Sequence, residues 1–251
     1  MSITSYLRQL TWTLRQRHRR SKFGSRPVLD LIDFGRRRCV VLDVGAHAGG
    51  FAGDVLVRAP MAEVHCFEPN SDVFGRLQAA ADRYGMWAGS PRCLTNRCAV
   101  GSISETRELH VTQLTTASSL LVVSNSAKCG WPQADFTESR RECVSVIRLD
   151  EYLAEQGIAQ VKLLKLDVQG YELEALRGCG NRLRQIEYIV AEVQFERLYE
   201  SAPLWGDIVG YTRTQGFEPV VMDGFCFGPD GQPLQADILL RRNGASNAIE
   251  W

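Results

Sequence analysis

The sequence predicts an α/β domain over residues 30–251, doubly wound, with a mostly parallel seven-stranded sheet that ends in an antiparallel pair. Three observations predict it. From Arg38 onward, short apolar runs alternate with stretches of helical periodicity, the pattern of parallel strands joined by crossover helices. The first run empties into a glycine-rich turn, Gly45-Ala-His-Ala-Gly-Gly50, and the second ends on a carboxylate, Glu68. The last two runs, Phe217–Met222 and Ala236–Arg241, are joined by turn signals instead of a helix, at Asp223-Gly224 and Pro229-Asp-Gly231.

Cys39-Val-Val-Leu-Asp-Val44 is nearly continuous in apolar residues, as a strand buried on both faces is. Phe51–Arg58 follows as helix and Glu63-Val-His-Cys-Phe-Glu68 as the second strand. Asn70–Tyr84 reads as a helix capped by Asn70, with Leu77, Ala80, Ala81 and Tyr84 as its core stripe. Cys93–Val100 is the third strand, Val161-Lys-Leu-Leu-Lys-Leu-Asp167 the fourth and Tyr188–Phe195 the fifth. The fourth leads into a helix, Tyr171–Arg177, that stops at Gly178, and a further helix covers Trp205–Gln215. Residues 101–150 break the alternation as an insertion. Arg107–Gln113 and Cys143–Leu149 read as strands there, and polar Ser124–Glu142 between them as a loop, on the substrate side or merely ornamental.

The 251 residues are 45% hydrophobic and 23% charged, which excludes disordered and fibrous classes. No apolar window reaches transmembrane length, and arginines break the first 24 residues, so neither a spanning helix nor a secretory signal is expected. The expectation is a cytoplasmic protein. Eight cysteines without a C-x-x-C pair predict reduced, buried thiols, and His47, His65 and His110 lack metal-ligand spacing, so no metal site is predicted. Net charge is zero, yet residues 1–29 hold seven Lys and Arg and no carboxylate. In this basic arm Ile3, Tyr6, Leu7, Leu10 and Leu14 recur at helical spacing. That predicts a helix packed on the domain or a peripheral contact with an anionic membrane. The remainder, with 22 basic against 29 acidic residues, offers no surface for DNA.

Glycines in the first turn let the backbone pass close to a ligand, and the following helix offers free N–H groups. A carboxylate ending the second strand can accept both hydroxyls of a ribose. The turn lacks the second glycine of G-x-G-x-x-G, because Ala46 and His47 follow Gly45, and this argues against the pyrophosphate of NAD or FAD. Asp43, at the end of the first strand, suits a cationic ligand such as the amino group and sulfonium of S-adenosylmethionine.

Val41-Leu-Asp-Val-Gly-Ala-His-Ala-Gly-Gly-Phe51, Phe67-Glu-Pro-Asn70, Asn96-Arg-Cys-Ala-Val-Gly101, Ser118-Ser-Leu120 and Leu164-Lys-Leu-Asp-Val-Gln-Gly-Tyr-Glu-Leu-Glu174 resemble, in order, the motifs of the FkbM-type methyltransferases. The resemblance spans about residues 38–222. It implies the Rossmann-like class I methyltransferase fold and S-adenosylmethionine as methyl donor. It also implies transfer to a hydroxyl of a polyketide-type natural product or of a sugar in a glycolipid or polysaccharide. Carried onto this sequence, it places the cofactor against Asp43, Gly45, Ala46, His47, Gly49, Phe51, Glu68, Pro69, Asn70, Asn96, Ala99, Ser119 and Asp167. His47 stands where the family usually has Asn, and Arg148 where Thr is common.

An alcohol is a poor nucleophile, so a base or a divalent metal is expected near its proton, the metal not being indicated by any cluster of carboxylates. Asp167, on the same rim as Asp43 and Glu68, is the first candidate, as base or metal ligand, with capping of the next helix as its alternative role. Glu192 and His110 are further candidates. Glu192 could instead pair with Lys165, a charge in an otherwise apolar strand. Glu172 falls in a first helical turn, where an acid is favourable for the dipole alone. Two other readings stay open: methylation of RNA, prompted by the basic arm, and a nucleotide-binding scaffold without chemistry. The body is acidic and no Asn-Pro-Pro or Asp-Pro-Pro occurs, against the former; Asp43, Glu68 and Asp167 together speak against the latter.

Overall fold

The computed structural model describes residues 28–88 and 93–244, so the expectations for the basic arm, its helix and its membrane contact lie outside the described residues. The strands are β1 (Cys39–Val44), β2 (Ala62–Phe67), β3 (Cys93–Asn96), β4 (Ala99–Val100), β5 (Glu105–Thr112), β6 (Glu138–Ile147), β7 (Val161–Leu166), β8 (Ile186–Gln194), β9 (Phe217–Phe227) and β10 (Pro233–Arg242). The α-helices are α1 (Gly50–Arg58), α2 (Ser71–Ala88), α3 (Asn125–Gly130), α4 (Leu149–Glu155), α5 (Glu172–Arg177) and α6 (Trp205–Thr214). Seven strands form one sheet in the order β3-β2-β1-β7-β8-β10-β9. Its first five members pair in parallel, and β10 runs antiparallel to both β8 and β9. This is the doubly wound, Rossmann-like sheet with an antiparallel terminal pair that the alternation predicts.

The strands are apolar on both faces because helices cover both. Leu42, Leu164, Ile189 and Ile238 pack with Leu149, Leu153, Leu176 and Ile208 of α4, α5 and α6. Val41, Leu163, Val190 and Leu239 pack with Ala52 and Val55 of α1 and Leu77 of α2. Each fully buried leucine contributes roughly 1.5–3 kcal/mol. At the carboxyl end of the sheet the second face changes character. Two residues along each strand from Val41, Leu163, Val190 and Leu239 stand Asp43, Lys165, Glu192 and Asp237. The register sets Asp43 beside Lys165 and Asp237 beside Glu192, so one charged row crosses four neighbouring strands. Asn70 caps α2 as expected, its Oδ1 accepting from Asp72 N at 3.0 Å.

Four expectations are corrected. Cys93–Val100 is not one strand. Asn96 ends β3, where its carbonyl accepts from Glu68 N and its amide donates to Cys66 O, and Ala99–Val100 join β6 in a second, three-stranded sheet, β4-β6-β5. The polar stretch 124–142 is no plain loop: it holds α3, capped by Ser124 Oγ, and the first residues of β6, which pairs antiparallel with β5. Its strand was hidden because the first five residues, Glu138–Glu142, are polar on both sides, and α3 by its brevity. At the chain's end, β9 continues through Asp223-Gly224 to Phe227, and the turn lies at 228–232, where Gly228 N donates to Gln232 O. Register shifts along the β9–β10 pair absorb the glycine. Finally, all eight cysteines are free thiols but not all buried; Cys129 and Cys143 are exposed.

Candidate active site

A cavity of about 570 Å³ opens at the carboxyl ends of β1, β2, β7 and β8, within the range of small-molecule sites. Of the residues singled out in the sequence, Gly45, Ala46, His47, Phe51, Glu68, Pro69, Asn70, Ala99, Ser119, Asp167 and Glu192 line it. Asp43, Gly49, Asn96 and His110 do not. Asp43 is fully buried behind the wall, Gly49 faces α2, with Leu77 and Ala80 each 3.2 Å from where a Cβ would stand, and Asn96 turns its amide back to β2. His110 points away from the cavity, its Nδ1 2.8 Å from Glu138 Oε2 on the second sheet.

One wall is the turn after β1. Gly45 N and Ala46 N both lie 3.0 Å from Phe67 O, and His47 takes the left-handed conformation, φ +48°. His47 N donates to Glu68 Oε2 at 2.9 Å, and Asn70 N to Glu68 Oε1 at 2.8 Å. Each Glu68 oxygen thus keeps a further lone pair. Burial pushes the Glu68 carboxyl above its ordinary value, opposed by those two amides. Burial, helped by the Arg76 cation, lowers the His47 imidazole to about 4, so the ring is neutral at pH 7. Its Nε2 sits 3.2 Å from Thr115 Oγ1. Thr115 begins a short 3-10 turn, Thr115–Ala117, and the segment after β5 forms the opposite wall through Thr116, Ser118, Ser119 and Leu120. That segment is pinned to β5 by paired backbone bonds between His110 and Ser119.

The floor is the charged row. Lys165 Nζ donates to Gly45 O at 2.8 Å and lies 3.3 Å from Asp43 Oδ1 and 3.6 Å from Asp167 Oδ2. Burial pulls the ammonium down, but Asp43 and Asp167 outweigh it and hold its pKa above the ordinary lysine value. Asp43 therefore spends its charge on an internal cation. Lys165 does not pair with Glu192, whose oxygens instead accept amide donors from Gln169 at 3.0 Å and Gln235 at 2.6 Å. Burial, then Asp167, Asp237 and Glu172, push the Glu192 carboxyl well above its ordinary value.

Asp167 does not cap α5. The N-cap of that helix, Tyr171, makes no side-chain bond to it, and Glu172 turns its Oε1 back to order the preceding turn, accepting from Val168 N at 3.0 Å and Gly170 N at 3.2 Å. The Asp167 side chain stays 40% exposed, facing the cavity. Lys165, Gln169, Tyr171, Thr115 and Thr116 also line the cavity and were not chosen as cofactor or catalytic residues from the sequence. The signals available were the unpaired Lys165 in an apolar strand and the Gln169-Gly170 break before the helix.

Burial drives Glu172 up to about 7 against the backbone amides that hold it. Between the ordinary glutamate value and about 7 the unfolded chain releases this proton while the folded chain keeps it. Stability therefore falls as pH rises through that window, by about 3 kcal/mol in all. Glu172→Gln keeps the acceptor without the charge, so it gains stability over the parent between about pH 5 and pH 8. Urea unfolding at both pH values measures this, and a pH-independent difference contradicts it.

The donor set fits S-adenosylmethionine. Glu68 offers lone pairs to a ribose, Pro69, Cys98 and Ala99 an apolar wall for a flat base, and the Gly45 turn with the hydroxyls of Thr115, Ser118 and Ser119 a polar end. No helix among the described residues is long and apolar enough to cross a membrane.

Residues 43–219 match the family model described as the methyltransferase FkbM domain. The chain is 30% identical over 203 residues to the 31-O-demethyl-FK506 methyltransferase FkbM of Streptomyces tacrolimicus, covering 72% of this chain and 73% of that protein. It is 24% identical over 185 residues to the hexuronic acid methyltransferase AglP of Haloferax volcanii, covering 71% and 68%. The crystal structure of a methyltransferase FkbM from Methylobacillus flagellatus KT shares the fold, with TM-score 0.52 and 14% identity, over 88% of this chain and 49% of that one. The chain belongs to the FkbM family of S-adenosylmethionine-dependent methyltransferases.

Proposed function

We propose that this methyltransferase acts on oxygen: it methylates a hydroxyl of a small acceptor, a sugar of a glycan or a polyketide-type alcohol. The observation that carries the reading is the Asp167 carboxyl, which faces the cavity on the rim that also holds the Gly45 turn. S-adenosylmethionine supplies an electrophilic methyl group, and its sulfonium charge is discharged on transfer. Glu68 would hold the ribose hydroxyls, the Gly45–His47 turn and Ser119 the methionine end, and Pro69 and Ala99 the base. The chain's own work is then to align the acceptor oxygen, exclude water and take the hydroxyl proton on Asp167. Relatives named for 31-O-demethyl-FK506 and for a hexuronic acid support oxygen as the acceptor atom.

The test uses methyl-labelled S-adenosylmethionine with hexuronic acids and their glycosides, polyketide alcohols and bulk RNA as acceptors. The expected product is a base-stable methyl ether on a sugar or polyketide hydroxyl. A base-labile ester or label in RNA overturns the reading. Asp167→Asn should reduce turnover by roughly 10²- to 10⁴-fold, while S-adenosylhomocysteine binds with near-parental affinity.

A further inference from the structure

Gln169 stands in the turn between β7 and α5 with φ +57°, a left-handed conformation that a residue with a long side chain adopts only when its surroundings impose it. Here they do. Its carbonyl accepts from Ser119 Oγ at 2.8 Å, and its side chain lines the cavity with both polar ends in use. Nε2 donates to Asp167 Oδ1 at 2.6 Å and to Glu192 Oε2 at 3.0 Å, while Oε1 accepts from the buried Tyr199 hydroxyl at 2.7 Å. The hydroxyl has a longer alternative acceptor, Ala117 O at 3.2 Å. Reversing the amide would turn its oxygen toward two carboxyls, so the nitrogen must face them.

We propose that Gln169 is the positioning residue of the acceptor end: an amide spacer that gives one N–H to Asp167 and one to Glu192 and so aims Asp167 at the acceptor hydroxyl. This rests on Asp167 being the base. The physical need is plain. Two carboxyls this close repel, and the groups facing Glu192 from every side are mostly of the same sign: Asp167 beyond β7, Asp237 of β10 and Glu172 of α5, against Lys165 of β7. Tyr199, from the segment after β8, also faces it. A neutral two-donor group between the carboxyls links them without adding charge. Because burial and those acids push the Glu192 carboxyl well above its ordinary value and favour its protonated form, Asp167 is left to take the hydroxyl proton.

The experiment is a titration of carboxyl-¹³C-labelled protein saturated with S-adenosylhomocysteine, the Glu192 resonance being assigned by its loss in Glu192→Gln. Gln169→Glu removes a donor and adds a carboxylate, so Glu192 should titrate about one pH unit or more higher than in the parent. Gln169→Leu, which only removes the donor, should shift it the same way by less. Turnover on the acceptor found in the screen should fall roughly 10- to 100-fold in both variants, with KM for S-adenosylmethionine nearly unchanged. Tyr199→Phe should give a smaller effect of the same sign. A role confined to holding the fold would lower the melting temperature and leave the Glu192 titration in place, and that outcome overturns the proposal. The two readings fail separately. An active Asp167→Asn variant removes the base; an inactive one, beside Gln169 variants with parental titration and turnover, removes the spacer alone.

Discussion

Gly45→Ala is expected to abolish binding of S-adenosylhomocysteine and to melt well below the parent. Gly45 adopts φ +77°, and a Cβ placed there would lie 1.9 Å from the carbonyl oxygen of Asp167 and 2.8 Å from its carbon. The neighbours cannot yield. Asp167 N donates to Val44 O at 3.1 Å, Gly45 N lies 3.0 Å from Phe67 O, and Lys165 Nζ grips Gly45 O at 2.8 Å. Relief would have to part β1 from β7, the two central strands. Left-handed strain of about 1–2 kcal/mol and overpacking of about 1–3 kcal/mol together cost roughly 2–5 kcal/mol. At this chain length that lowers Tm by roughly 4–20 °C. Thermal scans with and without S-adenosylhomocysteine measure both effects, and a variant with the parent's Tm would contradict the packing at this turn.

The second large effect is at Glu68. Glu68→Ala should weaken S-adenosylhomocysteine by about 10²- to 10³-fold, the loss expected when two charge-assisted hydrogen bonds disappear. The side chain matters twice, because its oxygens also order His47 N and Asn70 N around the ligand wall. Glu68→Gln should not rescue, since its NH₂ would confront one of those two N–H donors. Isothermal calorimetry on Glu68→Ala, Glu68→Gln and Asp167→Asn separates binding from chemistry: only the first two should lose affinity. Equal loss in Asp167→Asn would reject that division of labour.

The central sheet could be read because its strands are buried on two faces, and continuous apolar runs followed by glycine leave few alternatives. Glu68 and the Gly45 turn were readable for a related reason: a carboxylate ending one apolar run and a glycine-rich turn ending another stand out against the core residues before them. Asp43 misled because the sequence does not say which cation neutralises it; the answer, Lys165, lies on a strand more than a hundred residues later and depends on strand order. His110 misled because whether a residue of β5 faces the cavity or Glu138 is set by how β5 pairs with β6. Gln169 escaped notice because its role consists of contacts with Tyr199, Glu192 and Ser119, none of them local. The second sheet was half seen, since β6 alternates buried Val144 and Val146 with exposed Cys143 and Ser145 only in its last residues, while Glu138–Glu142 are polar on both sides.

The wall formed by residues 115–120 has a practical consequence for recombining relatives. His47 reaches Thr115, Gln169 receives Ser119, and Ser71 with Arg97 is tied to Glu142 of β6. The insertion is therefore bolted to both strand-end turns and to the first residue of α2. A chimera that exchanges residues 101–147 wholesale would import foreign partners for His47 and Gln169 together with any new acceptor preference. Grafts that retain Thr115, Ser119 and Glu142, and vary the residues between them, leave the donor half of the enzyme intact.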